Sequence, residues 1–382
     1  MSRFPKNDIM SLVGASPRYE LAESYGPNLR LGDLLDAAAL DDLPLGYGTP
    51  AGDPRLRQTI AEIHGVGPDD VVTTVGGAHA LFLAAFVLCG PGDEAVTTAP
   101  VFPHARTALE AVGATVRTVS LDFDRGYRLD PDELGRLLSA RTKLVSLASP
   151  QNPSGVAVPP ETIRVLLDRM AAICPDAYLL MDETYREAAY GDDPTATSMI
   201  ALGPKVISTA SLSKAHGGPG LRLGWAITRD PDLREQLVLG KFNTVICCSP
   251  VDEALALRLL DRRDAILGER RRRLADGLAL TAAWARAQAG LVDWVRPDAG
   301  ALCCVRLNPS RFDAAALARF QANLVDEGVR LADGRWFGDE PGVFRLGFGL
   351  LSMPDLERAL AGLSAAIERA LPAPIRPIAA NA

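Results

Sequence analysis

Histidine is scarce in this chain of 382 residues: His64, His79, His104 and His216 are the only four. A histidine-based metal centre is therefore not expected, and no metal is assigned. The six cysteines, Cys89, Cys174, Cys247, Cys248, Cys303 and Cys304, form no C-x-x-C pair. Most have apolar neighbours and read as buried thiols of a reducing cytoplasm, not as a disulfide or zinc framework. Basic charge is not in excess. The formal net charge is −7, which argues against a nucleic-acid partner, and the run Arg270 to Arg273 reads as one helix face. Long apolar runs are missing too. The longest, Ala80 to Cys89, is too short to span a bilayer. The opening M-S-R-F-P-K-N-D lacks the apolar core of a signal peptide. The expectation is a cytoplasmic protein that engages neither membrane nor nucleic acid.

What the chain does have is apolar content, 48% of residues, enough for a large core in two domains. Short strand-like and helix-like stretches alternate. Asp53 and Pro54 start a helix that runs to His64. Val71 to Val75, Ala95 to Thr98, Thr115 to Ser120, Lys143 to Ala148, Tyr178 to Met181, Val206 to Thr209 and Trp225 to Thr228 read as strands. Helices are expected over Asp33 to Leu40, Ala105 to Val112 and Pro160 to Cys174. This alternation points to an α/β fold with a mostly parallel, covered sheet. From Asp232 to about Gln288 the pattern is helical. Beyond it, L-V-D-W-V, A-L-C-C-V-R-L, V-R-L-A-D-G and V-F-R-L-G-F-G read as strands interleaved with helices Ala314 to Glu327 and Met353 to Leu371. The final P-A-P-I-R-P-I-A-A-N-A reads as a flexible tail.

Chemistry concentrates where strands end. Ser211, Lys214 and Arg222 lie in S-L-S-K-A-H-G-G-P-G-L-R, a loop of hydroxyls, glycines and a cation around one amine. That set suits a phosphate, and a lysine beside it can form an imine. After Val75 the glycine turn G-G-A-H opens a helix, so the N–H groups of Gly76, Gly77 and Ala78 can hold an anion. Phe102 follows one strand end. Asn152 lies in the turn S-P-Q-N-P-S-G. Asp182 ends a buried strand, where an unpartnered carboxylate is costly, and Tyr185 follows three residues later. Tyr47 sits in a Gly/Pro loop, and the turn S-Y-G-P-N holds Tyr25, Gly26 and Asn28.

In this order, Y-x-x-x-A-G-D-P-R-L-R, T-V-G-G-A-H-A-L, P-x-F, S-P-Q-N-P-S-G, M-D-E-T-Y, S-L-S-K-A-H-G-G-P-G-L-R-L-G-W and F-R-L-G-F-G span Tyr47 to Arg345. The series resembles the fold type I pyridoxal phosphate enzymes of the class I/II aminotransferase superfamily. The resemblance implies a large α/β domain with a mostly parallel seven-stranded sheet covered by helices, and a smaller α+β domain. Residues 1–45 would form an N-terminal arm and part of the small domain. Residues 46–275 would form the large domain, 276–371 the small C-terminal domain and 372–382 the tail.

The resemblance also implies roles. Lys214 would carry pyridoxal 5'-phosphate as a Schiff base and move the substrate proton. Asp182 would pair with the pyridine nitrogen. Asn152 and Tyr185 would bond the phenolic oxygen, and Phe102 would stack on the ring. Ser211, Arg222 and the turn Gly76, Gly77 and Ala78 would bind the phosphate. Tyr47 would reach the phosphate of a neighbouring subunit, which implies a homodimer with shared active sites. Arg345 would grip the substrate carboxylate, with Asn152, Tyr25 and Gly26 on the substrate side and His104 and Arg335 as further candidates. Two departures from the family pattern stand out: Ala78 replaces a polar residue, and Phe102 replaces Tyr or Trp.

The implied reaction is transfer of an amino group from an L-α-amino acid to a 2-keto acid. The alternative is a lyase, cyclase or oxidase acting on an arginine-like amino acid. The segments around S-Y-G-P-N and after Arg345 look similar to the branch containing capreomycidine synthase, whose members cyclise a hydroxylated arginine.

Overall fold

The computed structural model describes residues 4–14, 17–35 and 42–371. Its N-terminal segment contributes one short strand, β1 (Tyr19–Glu20). Helix α1 (Pro54–His64) begins where the turn chemistry places it. Asp53 accepts the Leu56 N–H at 2.9 Å, Pro54 fills the first turn, and Gly65 closes the helix in the left-handed region. A cap of this kind contributes about 1 kcal/mol. Leu56, Ile60 and Ala61 face the core.

Seven strands then build the main sheet: β2 (Val71–Val75), β3 (Glu94–Ala99), β4 (Thr115–Ser120), β5 (Thr142–Ala148), β6 (Tyr178–Asp182), β7 (Val206–Ser211) and β8 (Leu223–Thr228). Their order is β2-β8-β7-β6-β5-β3-β4. Every neighbouring pair is parallel except those made by β8, which runs antiparallel to β2 and β7. The central strands are apolar along their length because both faces are covered. Leu144, Leu180 and Ile207 pack on one face with α2 (Gly76–Leu88) and α3 (Pro103–Ala111). Val145, Leu147, Leu179 and Met181 pack on the other with α5 (Pro160–Ile173), whose Ile163 and Leu166 are fully buried. Between α3 and α5 along the chain lies α4 (Pro131–Gly135), a five-residue helix.

Helices α6 (Pro231–Val245), α7 (Pro250–Asp261) and the 25-residue α8 (Arg263–Ala287) lead to a second sheet. It comprises β9 (Val292–Val295), β10 (Leu302–Leu307), β12 (Ala332–Asp333) and β13 (Val343–Gly347), antiparallel in the order β12-β13-β10-β9. Helices α9 (Ala314–Asp326) and α10 (Met353–Ala370) share its core through Phe320, Leu324, Leu356 and Leu363.

The stretch V-R-L-A-D-G is a correction to the sequence reading. It is not one strand. β11 (Val329–Arg330) pairs in parallel with β1, and β12 then joins β13. Leu331 lies between two different hydrogen-bonding partners, so no single ladder can run through it. The helix expected over Asp33 to Leu40 is met only by a 3-10 turn at Leu31–Asp33, and residues 36–41 lie outside the described residues. So does the expected tail, 372–382. Among the described residues no helix is long and apolar enough to cross a membrane.

Candidate active site

The parallel strands of the main sheet deliver their functional residues at one edge. Phe102 follows the end of β3, Asn152 the end of β5, and Asp182 is the last residue of β6. Ser211 ends β7, and Lys214 follows in the next turn. The crevice outside the carboxyl ends of parallel strands is where α/β enzymes bind ligands.

Lys214 approaches the N-terminal segment. Its Nζ donates to Ser24 Oγ at 3.2 Å and lies 5.0 Å from the centre of the Tyr25 ring. Ser24 Oγ lies 2.8 Å from the Tyr185 hydroxyl. Asn152 Nδ2 donates to that same hydroxyl at 3.3 Å, and Arg345 Nη1 donates to Asn152 Oδ1 at 2.9 Å. The sequence-predicted residues Lys214, Tyr185, Asn152 and Arg345 thus form one hydrogen-bonded chain. Ser24 is the link that sequence reasoning missed. A crevice of about 320 Å³ runs past Lys214, lined among others by Ser24, Tyr25, Gly26, Tyr185 and Arg270.

Electrostatics differ along this chain. Burial lowers the Lys214 amine to about 8, and the charge of Glu23 partly opposes this. Burial raises the Tyr185 hydroxyl to about 12. Burial also lowers the Arg345 guanidinium, which is only 2% exposed. Arg345 donates as well to the Ala22 carbonyl and lies 4.7 Å from the Phe337 ring, while its buried Nε has no partner among the described residues. A guanidinium with one donor to spare suits a carboxylate. Asp182 is raised by burial, opposed by hydrogen bonds from the Thr184 hydroxyl at 2.6 Å and the Thr184 N–H at 3.0 Å and by the charge of Lys214. Such a carboxylate gains most from a cationic partner.

A phosphate cradle sits beside this centre. The start of α2 has no side-chain cap, so its N–H groups remain available to an anion. Gly76 has φ +72, and a Cβ there would stand 2.3 Å from Arg222 Nη2. A Cβ on Gly77 would stand 3.7 Å from Ser211 Oγ. Gly224 presses equally close, because a Cβ on it would lie 2.7 Å from Gly77 N. Free N–H groups, a serine hydroxyl and an exposed arginine therefore converge at a turn where a side chain on Gly76 or Gly224 would intrude. In the same crevice stand an amine of lowered basicity and a half-buried carboxylate. This donor set fits pyridoxal phosphate: the glycine turn would hold its phosphate, Lys214 would react with its aldehyde and Asp182 would face its basic ring nitrogen.

Other candidates are placed differently. Tyr47 is 85% exposed. Phe102 begins α3 and stacks on His104, with ring centres 4.7 Å apart. His79 is packed in place, accepting the Val75 N–H at 3.2 Å. Arg335 is held by Asp333, and Asn28 is exposed. Gly26 is buried, and a Cβ on it would stand 3.0 Å from Arg270 Nη1. Thr184, like Ser24, was not singled out from sequence, although both lie inside segments that were: D-E-T-Y and S-Y-G-P-N. Among the described residues no cluster of His, Cys, Asp or Glu is arranged to hold a metal.

Comparison with known proteins agrees with this geometry. The family model for aminotransferase class I and II matches residues 35–363. Capreomycidine synthase of Streptomyces vinaceus is 34% identical over 332 residues, covering 87% of this chain and 83% of that protein. Arginine–pyruvate transaminase of Pseudomonas aeruginosa is 30% identical over 345 residues, covering 83% of this chain and 82% of the relative. Among solved structures, a PLP-dependent aminotransferase from Streptococcus suis superposes with a TM-score of 0.87 at 25% identity, over 96% of this chain and 99% of that one. The PLP-dependent cyclase OrfR superposes with a TM-score of 0.84 at 26% identity, over 97% and 99%. With this family match, these relatives and the seven-stranded sheet they share, the chain belongs to the class I and II aminotransferase family of fold type I pyridoxal phosphate enzymes.

Proposed function

We propose that the protein transfers the amino group of an L-α-amino acid to a 2-keto acid, with a cationic side chain preferred on the amino acid. The observation that supports this reading is the hydrogen-bonded chain joining Arg345, Asn152, Tyr185, Ser24 and Lys214, with a guanidinium at one end and an amine of lowered basicity at the other. Arg345 binds the substrate carboxylate as a charge-assisted pair and orients Cα. Lys214, lowered to about 8, is partly neutral near neutral pH and can take the Cα proton and return it. Asn152 and Tyr185 would donate hydrogen bonds to the cofactor's phenolic oxygen, Phe102 would lie against its ring, and Asp182 would supply negative charge at its nitrogen. Ser211, Arg222 and the N–H groups of Gly76, Gly77 and Ala78 anchor the phosphate. The pyridoxal group itself contributes the electron sink that makes the Cα proton acidic. Tyr25 and Gly26 border the substrate.

The preference for a cationic side chain rests on Glu23. Its carboxylate acts on Lys214, Arg345, Tyr25 and Tyr185 and has no ion-pair partner among the described residues. The arginine named for one relative points the same way. A second reading, a lyase or cyclase acting on an arginine-like amino acid, is favoured by the likeness to capreomycidine synthase over most of the chain. We place the enzyme in the cytoplasm, where six free thiols persist. We further infer a homodimer with shared sites. Tyr47 would serve the neighbouring subunit's phosphate, and Leu45, Phe242 and Ile246 are exposed apolar residues suited to burial there.

The test is a panel of amino acids given to the purified enzyme with and without pyruvate or 2-oxoglutarate. Amino-group transfer predicts that turnover needs the keto acid and is fastest with basic amino acids. Release of ammonia or water without any keto-acid requirement would replace it with the second reading.

A further inference from the structure

Ser24 is 1% exposed, and among the described residues its hydroxyl hydrogen-bonds two groups, the Lys214 amine at 3.2 Å and the Tyr185 hydroxyl at 2.8 Å. The contact spans 190 residues of sequence on one side and 161 on the other. The backbone around Ser24 is tightly held. Ala22 O accepts from Arg345, and a Cβ on Gly347 would stand 1.7 Å from Glu23 O. Ser24 therefore cannot drift from the site without disturbing the Arg345 strand.

We propose that Ser24 is the positioning residue for the Lys214 amine, its hydroxyl holding that amine and the Tyr185 hydroxyl in one chain whose hydrogen-bond direction follows the protonation of the lysine. A hydroxyl has one proton and two lone pairs, so it can serve both neighbours in either state. With Lys214 an ammonium, Nζ–H donates to Ser24 Oγ and the Ser24 proton points to Tyr185. With Lys214 a neutral amine, Tyr185 O–H donates to Ser24 and the Ser24 proton points to Nζ. Between the two settings one N–H proton of Lys214 passes to solvent and the Ser24 and Tyr185 hydroxyl protons reorient; no other covalent bond changes. A free lysine side chain otherwise samples many rotamers, at an ordering cost of about 1.5–2 kcal/mol. Ser24 restricts that freedom on the Tyr185 side, where Asn152 and Arg345 hold the other end of the chain.

The proposal rests on Lys214 being the reactive amine; its deciding measurement, chemical labelling of that amine, involves no turnover, so it can fail separately from the amino-transfer reading. In the cofactor-stripped full chain, the pH dependence of acetic anhydride labelling at Lys214 is followed by peptide mass spectrometry. The wild-type midpoint is expected at about 8. In Ser24→Ala the ammonium loses an acceptor, so the midpoint falls by about half a pH unit or more. Ser24→Thr keeps the hydroxyl and restores it. In a Tyr185→Phe background the Ser24→Ala shift shrinks, because the chain is already broken. In turnover assays kcat of Ser24→Ala falls about tenfold or more while KM changes little. Ser24→Cys provides the same comparison at nearly equal volume if the alanine variant does not fold. An unchanged midpoint in Ser24→Ala, or Ser24 and Tyr185 shifts that simply add, would overturn the proposal.

Discussion

Replacing Gly76 by alanine isolates the phosphate cradle from the rest of the site. The new Cβ would stand 2.3 Å from Arg222 Nη2 and 3.0 Å from Cζ, against an exposed side chain that can swing away. Steric strain is therefore relieved by displacing the guanidinium. The residual stability cost is that of an alanine at φ +72, about 1–2 kcal/mol. For a chain of this size that lowers Tm by only about 1–3 °C. The larger effect falls on the anion. Losing one charge-assisted hydrogen bond to phosphate costs about 1.5–3 kcal/mol, or roughly 10- to 150-fold in Kd. Titrating the stripped full chain with pyridoxal phosphate, followed by visible absorbance, reads this directly. Pyridoxal, which lacks the phosphate, is the control and should bind the variant within about twofold of wild type. If the variant bound pyridoxal phosphate normally, or lost pyridoxal to the same degree, Arg222 and the glycine turn would not be the phosphate site.

Two further substitutions separate substrate grip from chemistry. Arg345→Lys removes the fork that reaches both Asn152 and Ala22 and should raise KM for the amino acid by roughly 10²-fold, with the absorbance of the bound cofactor unchanged. Normal KM would place the carboxylate elsewhere. Asp182→Asn keeps the shape and an acceptor for Thr184 but removes the charge. Breaking a buried charge pair costs about 3–5 kcal/mol, roughly 10²- to 5 × 10³-fold in kcat, and steady-state kinetics showing less than a tenfold loss would remove Asp182 from that role.

Local rules carried much of the fold. Asp53, Pro54 and Gly65 mark α1 by capping chemistry alone, and the apolar runs of β5 and β6 announce strands buried on both faces. Asp182, Asn152, Ser211 and Lys214 were legible because polar residues at the ends of apolar strands have few structural reasons to be there. Ser24 was not, since a serine in a glycine- and proline-containing turn looks like any other until Lys214 and Tyr185 fold onto it. The split between β11 and β12 was hidden for a related reason. Val329 to Asp333 has one uniform strand pattern, and only its two distant partners, β1 and β13, divide it. Tyr47 remains exposed in the single chain, so its proposed role depends on a second copy that no local pattern encodes.

The central claim is that Lys214 is the amine that carries the cofactor. Borohydride reduction of the purified protein, followed by proteolysis and peptide mass spectrometry, tests it in one step. The account predicts a single pyridoxyl-modified peptide with the modification on Lys214. Modification at Lys241, a buried lysine that donates to Thr73, or the absence of any modified peptide from a protein that binds the cofactor, would contradict it.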